Sequence, residues 1–273
     1  MPRIHPTAIV DDRVTLADDV EIGPYSILEG RITIGEGSRV RSHVFLQGPL
    51  TLGKGNDIWP FASIGAAPQT SHFDPDSEGS GTVVGDNNIF REHSSIHRAI
   101  HETEPTRIGN NNLFMDSAHA GHDCQVGDHA VFSKGTALAG HVTIENNVII
   151  GGGSMIHQFS RIGRGAFIGG GQGLAKDLMP WFMTSRLNFA SGINTIGMKR
   201  NGFTSEDVDV ARWVYRVICR MNLSIKSARE LIEERKGHPL IDEYLTFLDN
   251  STRAICTAKE QRTTTDKRTM QSS

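Results

Sequence analysis

The sequence predicts a three-sided parallel β-helix built from six-residue repeats, followed by a small α-helical region. Three observations carry this. An apolar residue recurs at every sixth position, from Ile4, Val10, Leu16, Ile22 and Leu28 on to Ile64, again at Val84, Phe90 and Ile96, and then from Ile108 through Leu174. Glycine is abundant, at 29 residues, while aromatic residues make up only 7% of the 273, which suits tight repetitive turns better than a broad mixed core. After Pro180 the six-residue period stops and a helical pattern replaces it.

A period of six cannot line one face of an α-helix, because such steps scatter around a cylinder of 3.6 residues per turn. It fits a chain that turns a corner every six residues and points one anchor inward from each short strand. Glycine follows many anchors, as at Gly23, Gly35, Gly53, Gly109, Gly127 and Gly163. Small or aliphatic residues stand four places after others, as at Ala8, Val14, Val20, Ser26 and Val44. Three hexads close a coil of 18 residues, and stacked coils bury a continuous column. A β-sandwich does not hold such register over so many repeats.

Two stretches break the phase, 66–83 and 97–107, and read as loops on a rigid scaffold, placed to carry binding groups or to reach a neighbouring subunit. Beyond Pro180, Thr204 or Ser205 offers an N-cap, and Val210, Trp213, Val214, Val217, Ile218 and Met221 fall on one helical face. A second helix is expected over about 224–236, ended by Gly237 and Pro239, and a third over about 239–250. The division is therefore a β-helix over 1–190, a helical domain over 191–255 and a tail over 256–273, nearly devoid of apolar residues from Thr257 and expected to be disordered.

Composition narrows the functional classes. The formal charge of −3 gives no basic excess for nucleic acid. Cys124, Cys219 and Cys256 are odd in number and widely spaced, which fits a reducing compartment and forms no CxxC metal site. The N-terminal residues lack a charged start followed by an apolar run, and no segment approaches the roughly 18 apolar residues of a membrane span. The expectation is a soluble cytoplasmic protein.

The coil makes a geometric statement. Residues 18 apart stack, so His122, Gly140 and Gln158 form one column and Asp123 lies under His141, while Gly121 is two coils below His157. His122, Asp123, His141, His157 and Gln158 should therefore share one edge of the prism, with His119 close by on the same coil. Histidines at turns are ordinary solvated groups when alone. Several beside a carboxylate suit general-base chemistry, with the carboxylate fixing the tautomer and stabilising the cation. The competing chemistry is a zinc site, with His119, His141 and His157 as three imidazole ligands of a carbonic-anhydrase-like hydratase.

The segment Ala118-His119-Ala120-Gly121-His122-Asp123-Cys124 resembles the active-site segment of the UDP-N-acetylglucosamine O-acyltransferases of lipid A synthesis. Other segments are similar to the same family in the same order: His5–Val10, Phe61–Gly65, Ile96-His97-Arg98, Leu138–Val142, His157-Gln158-Phe159, Gly197–Arg200 and Ser251-Thr252-Arg253. The resemblance implies a left-handed parallel β-helix, a homotrimer with sites between subunits, and transfer of a 3-hydroxyacyl chain from acyl carrier protein to the sugar 3-hydroxyl. It implies no cofactor, the acyl group arriving on the carrier's phosphopantetheine, and no bound metal. It makes His122 the general base, Asp123 its orienting carboxylate and the Gly140 N–H an oxyanion donor. It places Gln69, His97, His119, His141, His157 and Gln158 on sugar, diphosphate or acyl groups, and Asn194, Lys199 and Arg200 at the nucleotide. Gly152 would line the acyl chain, and Gly170 stands where the family measures its length, leaving room for a longer chain.

The chain departs from the family where the usual Asp and Lys of the first loop are Thr70 and His72, and where an arginine after Arg200 is Asn201. These departures keep open N-acyl transfer to a 3-amino sugar nucleotide by a divergent paralogue. A catalytically silent trimeric scaffold is a further reading. Arg212, Arg216 and Arg220, spaced by four, form a basic stripe suited to the acidic carrier protein, or simply a solvated helix face balanced by Glu206, Asp207 and Asp209.

Overall fold

The computed structural model of the chain describes residues 1–70, 73–74 and 77–258. It is a left-handed parallel β-helix with short C-terminal helices. Among the described residues its three faces are sheets of 11, 9 and 8 strands, and within the coils each strand pairs in parallel with the equivalent strand of the next coil. The ordinary step is 18 residues, as from Leu113 to Val131 to Ile149. It widens to 32 across the first loop, where Asp57 pairs with Ile89, and to 24 across the second, where Ile89 pairs with Leu113. Both phase breaks read from the sequence are thus loops extruded between coils whose strands stay in register.

The sixfold anchors form the core. From Ile22 to Leu174 each is buried, and Leu28, Ile58, Phe90, Phe132 and Ile168 are wholly so. Ile4 is 45% exposed and Val10 and Leu16 are half-buried, because the first coil has no coil beneath it. Phe90, Phe114 and Phe132 stack up the column at centroid distances of 5.2 and 4.3 Å. Each anchor fully buried contributes about 1.5–3 kcal/mol, so stability is distributed along the column.

A second inward position is small or polar, and its side chains satisfy the corners. Asn56, Asn88 and Asn112 donate to the carbonyls of Gly85, Gly109 and Gly127, each at 2.9 Å. The Asn56 and Asn88 carbonyl oxygens accept the backbone N–H of the next asparagine at 3.0 and 2.9 Å, and Asn112 accepts that of Ala130 at 2.7 Å. A buried ladder thus pairs backbone groups that the turn takes out of the sheets.

After the last coil the chain forms an antiparallel hairpin, Phe182–Arg186 with Phe189–Ile193, and a short helix α1 over Thr195–Arg200; neither was anticipated. Helix α2 spans Ser205–Arg220 with Thr204 as N-cap, in a reciprocal capping box with Asp207. It buries Val208, Ala211, Val214, Val217 and Ile218, whereas Met221, assigned to that face from the sequence, is the C-cap and 46% exposed. Helix α3, Ile225–Glu233, ends earlier than expected, and α4, Pro239–Asn250, begins on the proline.

The tail boundary also moves. Cys256 is fully buried, its N–H bonded to the Asp177 carbonyl at 2.8 Å, and Thr257 bridges to Phe189. The chain is returned to the β-helix through 258 because Asp177 and Ile255 pair as a parallel bridge. The rest of the expected tail, 259–273, lies outside the described residues.

Candidate active site

The edge between the second and third faces gathers the candidate catalytic side chains. Asp123, His141 and Phe159 occupy its corner in successive coils at φ of 60°, 60° and 63°, a conformation that L side chains seldom adopt. The His141 ring stacks on Phe159 with centroids 4.6 Å apart and planes 10° from parallel.

His122 Nδ1 donates to Asp123 Oδ2 at 2.7 Å, and because a carboxylate only accepts, this bond leaves Nε2 as a free acceptor. His141 meets the His122 ring edge-on at 5.1 Å, with its Nε2 3.6 Å from the same carboxylate oxygen. Asp123 also accepts the backbone N–H of Ile100 at 3.2 Å and of His101 at 3.0 Å, and its own N–H donates to Thr106 Oγ1 at 2.8 Å. Burial alone would raise its pKa, but the bonds from His101, His122 and Ile100, with the nearby His141, hold it below the usual carboxylate range.

Gly140 lies directly against the His122 ring. A Cβ there would meet His122 Cε1 at 2.4 Å and Nε2 at 2.6 Å. Its N–H has no hydrogen-bond partner among the described residues. The sequence column of His122, Gly140 and Gln158 is therefore present, and its middle position must be glycine for the imidazole to fit.

His97 and His119 form a second pair on the second face, rings 5.2 Å apart and edge to face. His97 Nδ1 donates to the Ala67 carbonyl at 2.6 Å, and His119 Nδ1 bonds Ser95 Oγ at 2.8 Å. Burial, then the neighbouring His97 and His122, pushes His119 down to about 4. Burial likewise lowers His97 against the opposing pull of the Ala67 carbonyl, and lowers His141 against that of Asp123. These rings are neutral polar groups at physiological pH.

His157 and Gln158 sit on the same corner but are exposed, and His157 Nδ1 bonds the adjacent Gln158 carbonyl at 3.1 Å. Gly152 and Gly170 lie on the opposite edge of the second face, one coil apart, with the Gly152 carbonyl receiving the Gly171 N–H at 2.8 Å. Gln69 is exposed at the start of the first loop; His72 lies outside the described residues. Asn194 is 8% exposed and caps α1, accepting from the Gly197 N–H and donating to the Gly165 carbonyl at 2.9 Å each, which gives it a structural task within the chain. Lys199 and Arg200 are exposed in the last turn of α1, where Asn201 is the C-cap. Arg212, Arg216 and Arg220 are exposed along α2, the first paired with Asp209 at 2.9 Å.

The three histidines considered as zinc ligands are not gathered. Among the described residues the group with metal-compatible spacing is His122, Asp123 and His141, whose ligand atoms lie within 4.8 Å, and there His122 and Asp123 bond each other directly. Sequence reasoning missed Phe159, although it stands one coil above His141 and the 18-residue step pointed to it. It also missed Ser95 and the Ile100–His101 peptide, which the longer coil hides from any fixed spacing.

The model of a known family, described as UDP N-acetylglucosamine O-acyltransferase, domain 2, matches residues 177–256. The chain is 45% identical over 255 residues to the acyl-[acyl-carrier-protein]–UDP-N-acetylglucosamine O-acyltransferase of Anaeromyxobacter dehalogenans, covering 92% of this chain and 98% of that one. It is 40% identical over 258 residues to the enzyme of the same name from Halorhodospira halophila, covering 93% and 99%. Among solved structures it is similar to the UDP-N-acetylglucosamine acyltransferase of Francisella novicida, with a TM-score of 0.90 at 36% identity over 94% of this chain and 95% of that one. It is also similar to the Moraxella catarrhalis O-acyltransferase, with a TM-score of 0.87 at 37% identity over 92% and 98%.

Proposed function

The chain belongs to the UDP-N-acetylglucosamine O-acyltransferase family, and from that premise we propose that it transfers a 3-hydroxyacyl chain from acyl carrier protein to the 3-hydroxyl of UDP-N-acetylglucosamine, with His122 as general base. The observation that carries the base assignment is the His122–Asp123 hydrogen bond of 2.7 Å beside the glycine at 140. His122 Nε2 takes the proton of the sugar hydroxyl as its oxygen attacks the thioester carbonyl. The Gly140 N–H supports the oxyanion of the tetrahedral intermediate. Collapse breaks the carbon–sulfur bond, the sulfur takes the proton back from His122 Nε2, and phosphopantetheine leaves as its thiol, restoring the neutral base. Asp123 keeps Nδ1 protonated and stabilises the transient imidazolium.

The neutral His97, His119 and His141, with His157 and Gln158, bind polar groups of the substrates. Gln69, Asn194, Lys199 and Arg200 serve the sugar nucleotide, while Gly152 and Gly170 leave a bare backbone track for the acyl chain. The β-helix over 1–190 is the catalytic unit. The helical region over 191–255 receives the acidic carrier on Arg212, Arg216 and Arg220. The acyl donor is a substrate on a carrier, and the reaction draws on no cofactor.

A homotrimer completes the site. The outward positions of the first face change from Arg3, Glu21, Arg39 and Asp57 to Leu113, Val131, Ile149 and Phe167, and this apolar stripe supports a subunit contact. Among the described residues no helix is long and apolar enough to cross a membrane, and the three cysteines are free and buried; a cytoplasmic enzyme accords with both.

The relatives' names specify O-acyl transfer, which does not favour the amide-forming, zinc-hydratase or silent-scaffold readings. The deciding assay offers purified protein a panel of acyl-carrier thioesters with UDP-N-acetylglucosamine or its 3-amino analogue and weighs the product. An ester of the first acceptor is the expected result; an amide of the second alone, or no product, overturns it.

A further inference from the structure

The two loops that interrupt the coils are joined to each other and to Asp123. The Gly81 carbonyl of the first accepts the N–H of Ala99 at 3.1 Å and of Thr106 at 3.2 Å, from both ends of the second. Ser80 donates to the His101 carbonyl through its N–H at 3.3 Å and through its hydroxyl. Gly81 sits at φ +81°, and a Cβ there would come within 2.3 Å of the Pro49 carbonyl oxygen, so only glycine brings the strands this close.

Arg98 is the fastener. It is 3% exposed, with its backbone N–H on the Ala66 carbonyl at 3.0 Å. Its guanidinium donates to the Ser77 carbonyl at 3.0 Å, to Gln47 Oε1 at 2.8 Å and to the Gly65 carbonyl at 3.3 Å, and lies over the Phe73 ring at 5.3 Å. It therefore spans both ends of the first loop and the wall of a neighbouring coil. Two residues further along, the Ile100 and His101 N–H groups close on the Asp123 carboxylate.

We propose that Arg98 is a positioning residue that couples the first loop to the His122–Asp123 pair through the Ala99–His101 strap. The proposal rests on the reading of His122 as base and adds to it a second role for the loops. The first loop is thereby tied to the strap that holds the carboxylate orienting the base, so displacing one displaces the other. Buried donors in a fixed fork suit this task, because arginine holds several carbonyls at once where lysine holds few.

The test uses the complete enzyme with Arg98→Met and Arg98→Lys. Arg98→Met should lower kcat by up to about 100-fold, and Arg98→Lys should recover part of the loss. Amide hydrogen exchange should quicken in both the 77–83 and the 98–106 peptides. In a His122→Ala background, Arg98→Met should cause no further loss of residual turnover, since a residue acting through the pair has nothing left to position. Faster exchange confined to 77–83, or an equal further loss in that background, overturns the coupling. If Arg98→Met does not fold, the same readings on Arg98→Lys decide it. Full activity of His122→Ala alone would instead overturn the base assignment, while the exchange data still report on the strap.

Discussion

The imidazole of His122 rests against the α-carbon of Gly140, one coil above it, so closely that a methyl group at 140 would overlap its Cε1 and Nε2 atoms. The proposed base and the proposed oxyanion donor are thus neighbours by stacking, and the space for one is set by the missing side chain of the other. Gly140→Ala should push the ring aside and cut kcat on the order of 100-fold. The fold should hold, since the backbone at 140 is not in the left-handed region. Steady-state kinetics beside thermal unfolding would check this; wild-type turnover would show that the ring has another seat.

Removing the imidazole should be more severe. His122→Ala is expected to lower kcat by about 10² to 10⁴ while sedimentation finds the same assembly as for the unaltered protein. Turnover at the wild-type level would remove His122 from the reaction.

His119 gives a pH signature. Its folded pKa is depressed from 6.5 to about 4, chiefly by burial, so the unfolded chain binds a proton that the native state refuses. The stabilisation from the neutral ring is complete above the unfolded value. It is lost as pH falls from about 6.5 toward 4 and does not change further below that, where both states are protonated. His119→Gln should flatten the dependence of the unfolding midpoint between pH 7 and 4. A variant with the full wild-type slope would assign that slope to other groups, such as His97 and His141, which burial also lowers.

Arg216 lies in the middle of the exposed stripe on α2. Arg216→Glu should raise the apparent KM for the acyl-carrier donor roughly 3- to 10-fold at low salt, with the difference shrinking as salt is added. The KM for the sugar nucleotide should not move. An unaltered donor KM would leave the stripe as a solvated helix face.

The β-helix was legible because its rule is local: each six-residue step must bury one apolar anchor, and nearly every one is buried. Addition alone then placed His122 beneath Gly140 and Asp123 beneath His141. Where the spacing changed, addition failed. The pairing of His119 with His97 crosses the 24-residue coil, and no fixed period reveals it. The grip of Ile100 and His101 on Asp123 is made by backbone N–H groups, which carry no side-chain signature. The hairpin at 182–193 was missed for a different reason. Its strands follow the last coil outside the six-residue period, the first held by pairing onto Phe167 and Ile168 and the second by pairing onto the first. Met221 was placed on the buried face of α2 by periodicity, but the helix had already ended beneath it.

The coils that swallow an insertion resume with the next strand directly over the last, so a change in loop length is paid out sideways and never along the axis. Such a scaffold can trade one extruded loop for another, longer or shorter, without moving the rung on which the imidazole stands. On the proposed reading the first loop can diverge in sequence, as at Thr70 and His72, while the rung that carries His122 and Asp123 stays where the coils set it.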